Sequence, residues 1–226
     1  TLTSISDTFA NITSIHLLPT SEVTMADATV NVTDQITKTQ AEAINSYTTG
    51  HVTLTSIADT LNNLSSVNSL PDSQVMMQMA SLTVTDTTTL ANANTVNEFT
   101  TNQVTLTSIS DTFANITSID AINTSEVTMA NATVNVTDQV TKAQADAINS
   151  YTTGQVTLNS ISDISANLAT LDAIDNAEVT IGTAEVNVLD TVTLANANTI
   201  NAYTTGQVTL TSISDTFANI TSIHLL

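Results

Sequence analysis

The sequence repeats itself every 52 residues, and the step never slips. TLTSIS at Thr1 returns as TLTSIA at Thr53, TLTSIS at Thr105, TLNSIS at Thr157 and TLTSIS at Thr209. Asp7, Asp59, Asp111, Asp163 and Asp215 keep this phase, as do Asp34, Asp86, Asp138 and Asp190. Asn11, Asn63, Asn115, Asn167 and Asn219 form a third series, and Tyr47, Phe99, Tyr151 and Tyr203 a fourth. A repeat of this size cannot bury its apolar face alone; it must stack on its neighbours. The domain reading is therefore one continuous array over residues 1–226. Its repeats are 1–52, 53–104, 105–156, 157–208 and a partial copy at 209–226.

Each period holds two related coils. Val23, Val52, Val75, Val104, Val127, Val156, Val179 and Val208 each begin a Val-Thr-(Leu/Met/Ile) tripeptide, with Met76 replacing Thr once. Their spacing alternates between 29 and 23 residues. Coils of 20–30 residues match one turn of a stacked repeat. Residues 1–18 are identical to residues 209–226, whereas the internal copies diverge, as at Leu61. An identity restored after four periods reads as a higher-order repeat of four units, with recent duplication of one unit as the alternative. The first and last coils are ordinary copies, so the array is expected to continue, to meet another subunit, or to be capped elsewhere.

The short coil carries Val52-Thr53-Leu54-Thr55-Ser56-Ile57, β-branched and partly alternating, which predicts a strand. Asp59 follows as a candidate helix N-cap. In the third period Phe113, Ile116 and Ile119 then recur at helical spacing. The long coil carries Val127-Thr128-Met129, then Val134-Asn135-Val136, then Asp138: two short extended pieces and a turn. Thr141 with Gln144, and Thr37 with Gln40, read as capping boxes. Thr89 with Asn92 and Thr193 with Asn196 keep a weaker form. Ala145, Ile148 and Tyr151 continue the helix, and Gly154 is the expected left-handed residue that ends it. Met25, Met77 and Met129 share one core position. The predicted fold class is α/β: a tandem-repeat solenoid of strand-turn-helix coils with parallel strands. An all-β solenoid is the alternative, disfavoured by the presence of only four glycines.

Charge excludes several function classes. Against 21 acidic residues stand only Lys38 and Lys142, for a net charge of −19. Nucleic-acid binding needs cations to neutralise phosphates, and an anionic membrane surface repels such a chain. No apolar run approaches the ~18 residues of a membrane span. Cysteine is absent, so thiolate and disulfide chemistry are excluded.

No constellation points to catalysis. His16, His51 and His224 form no catalytic set, and no glycine loop could cradle a phosphate. The expectation is a non-enzyme without cofactor, metal or catalytic residue. Calcium is the one ion to consider, with Asp34, Asp86, Asp138 and Asp190 as its weak candidate ligands. Neither the glycine-rich calcium nonapeptide nor a D-x-D-x-D-G loop is present. Capping and turn stabilisation is therefore the preferred role for both Asp series, and amide ladders between coils for the Asn series. Thr53 with Thr55, and Thr105 with Thr107, put hydroxyls on one strand face, an array like that of ice-binding solenoids. Thr is also an ordinary half-exposed strand residue.

The motifs SDTFANI at 110–116 and VTLANAN at 192–198 resemble those of very long Thr/Asn/Asp-rich tandem-repeat proteins of bacterial surfaces. The resemblance covers the whole chain and implies an extracellular or cell-surface setting as an adhesin or filament. The expected function is a structural segment of a filament, sheath or adhesin stalk. Its expected partners are identical subunits or the continuing array. The alternative is a solenoid that binds calcium, glycan or ice.

Overall fold

The computed structural model describes residues 1–71, 74–170 and 179–223, with Ser222 and Ile223 described by backbone alone. Strands and helices alternate. In chain order they are β1 Ser4–Asp7, α1 Phe9–His16, β2 Thr29–Ile36, α2 Lys38–Tyr47, β3 Val52–Asp59, α3 Leu61–Asn68, β4 Val75–Met76, β5 Ser81–Thr88, α4 Leu90–Asn97 and β6 Val104–Asp111. There follow α5 Phe113–Asp120, β7 Val127–Thr128, β8 Thr133–Val140, α6 Lys142–Tyr151, β9 Val156–Asp163, α7 Ser165–Leu168, β10 Val179–Thr180, β11 Glu185–Val192, α8 Leu194–Asn201, β12 Val208–Ile213 and α9 Phe217–Ile223. The chain divides into two compact units, residues 1–108 with 119–129, and residues 109–118 with 130–226.

In the first unit the strands run parallel in the order β1-β2-β3-β5-β6, with β4 beside β3 and β7 beside β6. In the second the order is β8-β9-β11-β12, with β10 beside β9, again all parallel. The α/β expectation is met, and the all-β alternative is not. In the first unit α2 packs against α1, α3 and β3. The core between strands and helices is aliphatic: Ile12, Val30, Val32, Ile44, Leu54, Ile57 and Leu64 are all under 2% exposed. Met25, Met77 and Met129 are buried with them, at the position expected.

The strand of the long half-repeat carries a bulge. Val32 pairs with Leu54, but the next pair is Gln35 with Ser56, so β2 carries one residue more than β3. The inward alternation Val30, Val32 accordingly resumes at Ile36 rather than at position 34. The carbonyl stranded at the bulge is taken by a threonine of the next strand. Thr55 Oγ1 donates to Val32 O, Thr107 Oγ1 to Val84 O at 2.8 Å and Thr211 Oγ1 to Val188 O at 2.6 Å. A bulge re-aims the side chain it carries, and here that side chain is Asp34. The same shift lies between Val136 and Gln139. Asp138, expected in a turn after two short pieces, thus lies inside the eight-residue β8.

Gly154 also differs from expectation. No described residue has a positive φ, and α6 ends on Thr152 in extended conformation, φ −142°, ψ 150°. Glycine is needed for closeness instead. A Cβ at Gly154 would lie 2.6 Å from the Ala132 carbonyl carbon, nearer still to its oxygen, and 2.9 Å from Asn131 O. Gly50 and Gly206 meet Ala28 and Ala184 in the same way.

Candidate functional site

A helix begins with backbone N–H groups that have no partner within it. Here two half-repeats share the work of satisfying them. The N-cap is a threonine, one residue after the aspartate expected there. Thr8 Oγ1 accepts from Asn11 N and Thr60 Oγ1 from Asn63 N, both at 3.4 Å. The capping boxes at Thr37 and Thr141 form as expected, with Gln40 and Gln144 Oε1 accepting from the threonine N–H at 2.8 Å. Thr89 and Thr193 cap without the return bond, each accepting at 3.3 Å.

The first N–H of the helix goes to an aspartate of the next half-repeat. Asp34 Oδ1 accepts from Phe9 N at 2.8 Å, Asp86 Oδ1 from Leu61 N at 2.9 Å, Asp138 Oδ1 from Phe113 N at 2.8 Å and Asp190 Oδ1 from Ser165 N at 2.6 Å. The donor lies 25 residues earlier each time. The other series does the same across 21 residues: Asp59 Oδ2 accepts from Lys38 N at 2.9 Å, Asp163 Oδ2 from Lys142 N at 3.0 Å and Asp215 Oδ2 from Leu194 N at 2.9 Å. The second oxygen is also used. Asp59 Oδ1 accepts from Thr60 N at 2.8 Å and Asn63 Nδ2 at 2.7 Å. Asp7, Asp111, Asp163 and Asp215 repeat this with Asn11, Asn115, Asn167 and Asn219. The bond that holds Asn11, Asn63, Asn115 and Asn167 is thus to the aspartate four residues before, inside one half-repeat, where the sequence suggested ladders between coils.

Threonine hydroxyls supply a second tie, which the sequence reading missed. Thr48, Thr100, Thr152 and Thr204 are buried. Each donates to the carbonyl of Ala28, Ala80, Ala132 or Ala184, 20 residues earlier, at 2.6–2.7 Å. The recurrence of Thr-Thr at one phase was the available signal. Side chains outside the core pair across strands too, as in Asn31 Nδ2 to Ser6 Oγ and Asn135 Nδ2 to Ser110 Oγ, both 2.9 Å.

These bonds set the acidity of five of the aspartates. The Asn11 amide and the Thr8 N–H hold Asp7 below the ordinary carboxylate value. Burial, the largest single influence, pushes Asp59 and Asp163 upward. It is outweighed by the donors from Asn63, Lys38 N and Thr60 N, and from Asn167, Ile164 N and Lys142 N. Ser165 lowers Asp190 through its N–H and hydroxyl, and Leu194 N with Asn219 lowers Asp215. Burial raises Asp120. A carboxylate whose folded pKa is depressed stabilises the fold above its unfolded pKa, about 3.9, and loses that contribution as pH falls through the folded value. The urea midpoint should therefore hold between pH 7 and 5 at constant salt, and fall below about pH 4. A midpoint that stays flat to pH 2 would contradict the capping role.

Among the described residues no group of three or more His, Cys, Asp or Glu side chains could hold a metal ion. The calcium candidates Asp34, Asp86, Asp138 and Asp190 each spend an oxygen on a helix N–H donor. Chelation should leave the melting temperature within about 1 °C, because only a bound ion is linked to stability; a drop of several degrees on adding EDTA would count against this assignment. His16 stacks on Tyr47, centroids 3.9 Å apart at 11°, and His224 lies outside the described residues. Comparison with family models, with curated proteins and with solved structures returns no match.

Proposed function

We propose that this chain is a load-carrying segment of an extracellular solenoid, part of a filament, sheath or adhesin stalk built by stacking coils. The observation that carries the reading is the relay of aspartates. Seven of the described helices give their first N–H to an aspartate of the next half-repeat, and the strands of each unit pair in parallel. A unit built this way is completed only by a neighbour, and an array of such units propagates without a natural stop.

The repeated chemistry supports a structural role over a catalytic one. An aspartate recurs at a fixed place in every half-repeat, and those with printed bonds accept from backbone N–H groups at helix starts. The two lysines pair within their own helices, Lys38 with Glu42 at 2.9 Å and Lys142 with Asp146 at 2.8 Å. The partners are further copies or further coils of the same kind. The surface setting follows from the resemblance to Thr/Asn/Asp-rich repeat proteins and from a net charge of −19, which keeps extended arrays apart in solution.

Sedimentation and negative-stain electron microscopy across a concentration series test the assembly. Elongated particles that lengthen with concentration are the expected result. Compact monomers at every concentration would end this reading. Protease treatment of intact cells tests the location, with loss of the protein expected from the outside.

A further inference from the structure

In a chain that repeats this closely, departures from the repeat are informative, and the second period gathers several of them in one place. Gln78 stands where the other periods have Ala26, Ala130 and Gly182. Glu98 stands where they have Ser46, Ser150 and Ala202. Asn68 takes the place of His16, and Phe99 is the one phenylalanine in a tyrosine series. These four residues, with Thr100 and Thr101, line a single cleft of about 370 Å3.

The backbone beneath the cleft is the ordinary one. Thr101 N donates to Gln78 O at 2.8 Å, as Thr49 N does to Ala26 O at 2.7 Å. The Thr100 and Thr101 hydroxyls reach the same carbonyl at 3.2 and 3.1 Å, as those of Thr48 and Thr49 do at 3.3 and 3.2 Å. The first period has a cleft at this phase too, with His16, Ala26 and Tyr47 in its lining. There His16 stacks on Tyr47, and the space is about 160 Å3. In the second period an amide replaces the imidazole, and the cleft is more than twice as large. The fold is thus held constant while the side chains around one hollow become larger and more polar. Stacking alone gives no reason for that change, since small residues serve at the same places in the other periods.

We propose that this cleft binds a neutral saccharide through one pyranose ring. The assignment goes beyond the stacking reading and does not rest on it. A carboxylate accepts hydrogen bonds, and an amide both donates and accepts. Glu98 with Asn68 and Gln78 therefore suits neighbouring hydroxyls, each of which is donor and acceptor at once. Phe99 is 8% exposed and offers an apolar base to the C–H face of a sugar ring. A few polar groups around an apolar wall is the usual make-up of a small-ligand site. Anionic sugars do not fit, because both lysines pair within their own helices and Glu98 repels a second negative charge. A single carboxylate also makes a poor calcium site, since that ion takes about 6–8 oxygen ligands. One ring on so open a surface should bind with a dissociation constant of about 1–10 mM.

Titration of the full chain with the methyl glycosides of glucose, galactose and mannose and with N-acetylglucosamine, followed by amide NMR, tests the site. At least one of these sugars should move the amides of Asn68, Gln78, Glu98 and Thr101. The first-period counterparts His16, Ala26, Ser46 and Thr49 are the control and should stay still. Glu98→Ser and Gln78→Ala install the residues that the third period already carries, so both variants keep the fold. Each should weaken binding about tenfold. Titrations that are silent with all four sugars overturn the proposal. So do shifts of equal size in the first period, affinity unchanged in both variants, or shifts at Glu98 that appear with calcium chloride and with no sugar. These readouts use dilute, unassembled chain, so their failure leaves the stacking reading as it was.

Discussion

Replacing Gly154 by valine should lower stability by about 2–3 kcal/mol, the cost of forcing atoms into a filled site. The first added carbon already meets the Ala132 carbonyl, and Ala132 itself is fully buried. The carbonyl cannot swing away without giving up the Thr152 hydroxyl, which holds it at 2.6 Å. Thr152 Oγ1 in turn accepts from Gly154 N at 2.9 Å, so the loop is closed on itself. The chain also shows which substitution is tolerated. Asn102 occupies this phase in the second period, and its Nδ2 donates to Met79 O. Asn131 O lies correspondingly near Gly154. Gly154→Asn should therefore cost less than Gly154→Val, about 1 kcal/mol or under, because its amide recovers a hydrogen bond. Urea denaturation of the two variants against the parent reads the order directly. Equal losses would mean that only the presence of Cβ matters.

The second large effect is expected from Asp59→Ala, about 2–3 kcal/mol. Its carboxylate accepts three bonds, from Thr60 N, Asn63 Nδ2 and Lys38 N, and bonds to charged groups are worth more than neutral ones. Asp59→Asn should lose about half as much. The amide oxygen can keep the bonds at Thr60 and Asn63, while its NH2 faces the Lys38 N–H donor to donor. Amide exchange supplies the discriminating readout. The Lys38 amide should exchange faster in Asp59→Ala although it lies 21 residues away. If Thr37 and Gln40 alone secured that helix end, Lys38 would stay protected. Removing the Lys38 charge should matter little by comparison, since its pair with Glu42 is solvent-accessible and such pairs contribute little.

Local grammar was readable in the sequence, and long-range grammar was not. The strand at Val52, the two strands at Val127 and Val134, the boxes at Thr37 and Thr141 and the methionine core position all follow from residues within a few places of one another. The role of Asp59 does not, because its decisive donor belongs to the previous half-repeat. From the sequence an Asp before a helical stripe reads as that helix's own cap. The threonine beside it takes that task and frees the aspartate to reach backward. Gly154 misleads for a related reason. Glycine after a helix suggests a left-handed residue, but the constraint comes from Ala132 on the neighbouring strand. The bulge near Asp34 was not readable at all, because the alternation of 29 and 23 reflects the longer connection before β2 and the extra residue shows only against the partner strand.

The relay of caps points one way along the chain, and that gives synthesis a timetable. A helix such as α1 leaves the ribosome with one N–H still bare, and its acceptor arrives 25 residues later; for α2 the wait is 21 residues. At ordinary translation rates that delay is about 1–5 seconds. The most recently made coil is therefore always the unfinished one, while every coil behind it is already sealed. Protection of the Phe9 and Lys38 amides during synthesis should accordingly appear only after Asp34 and Asp59 have left the ribosome.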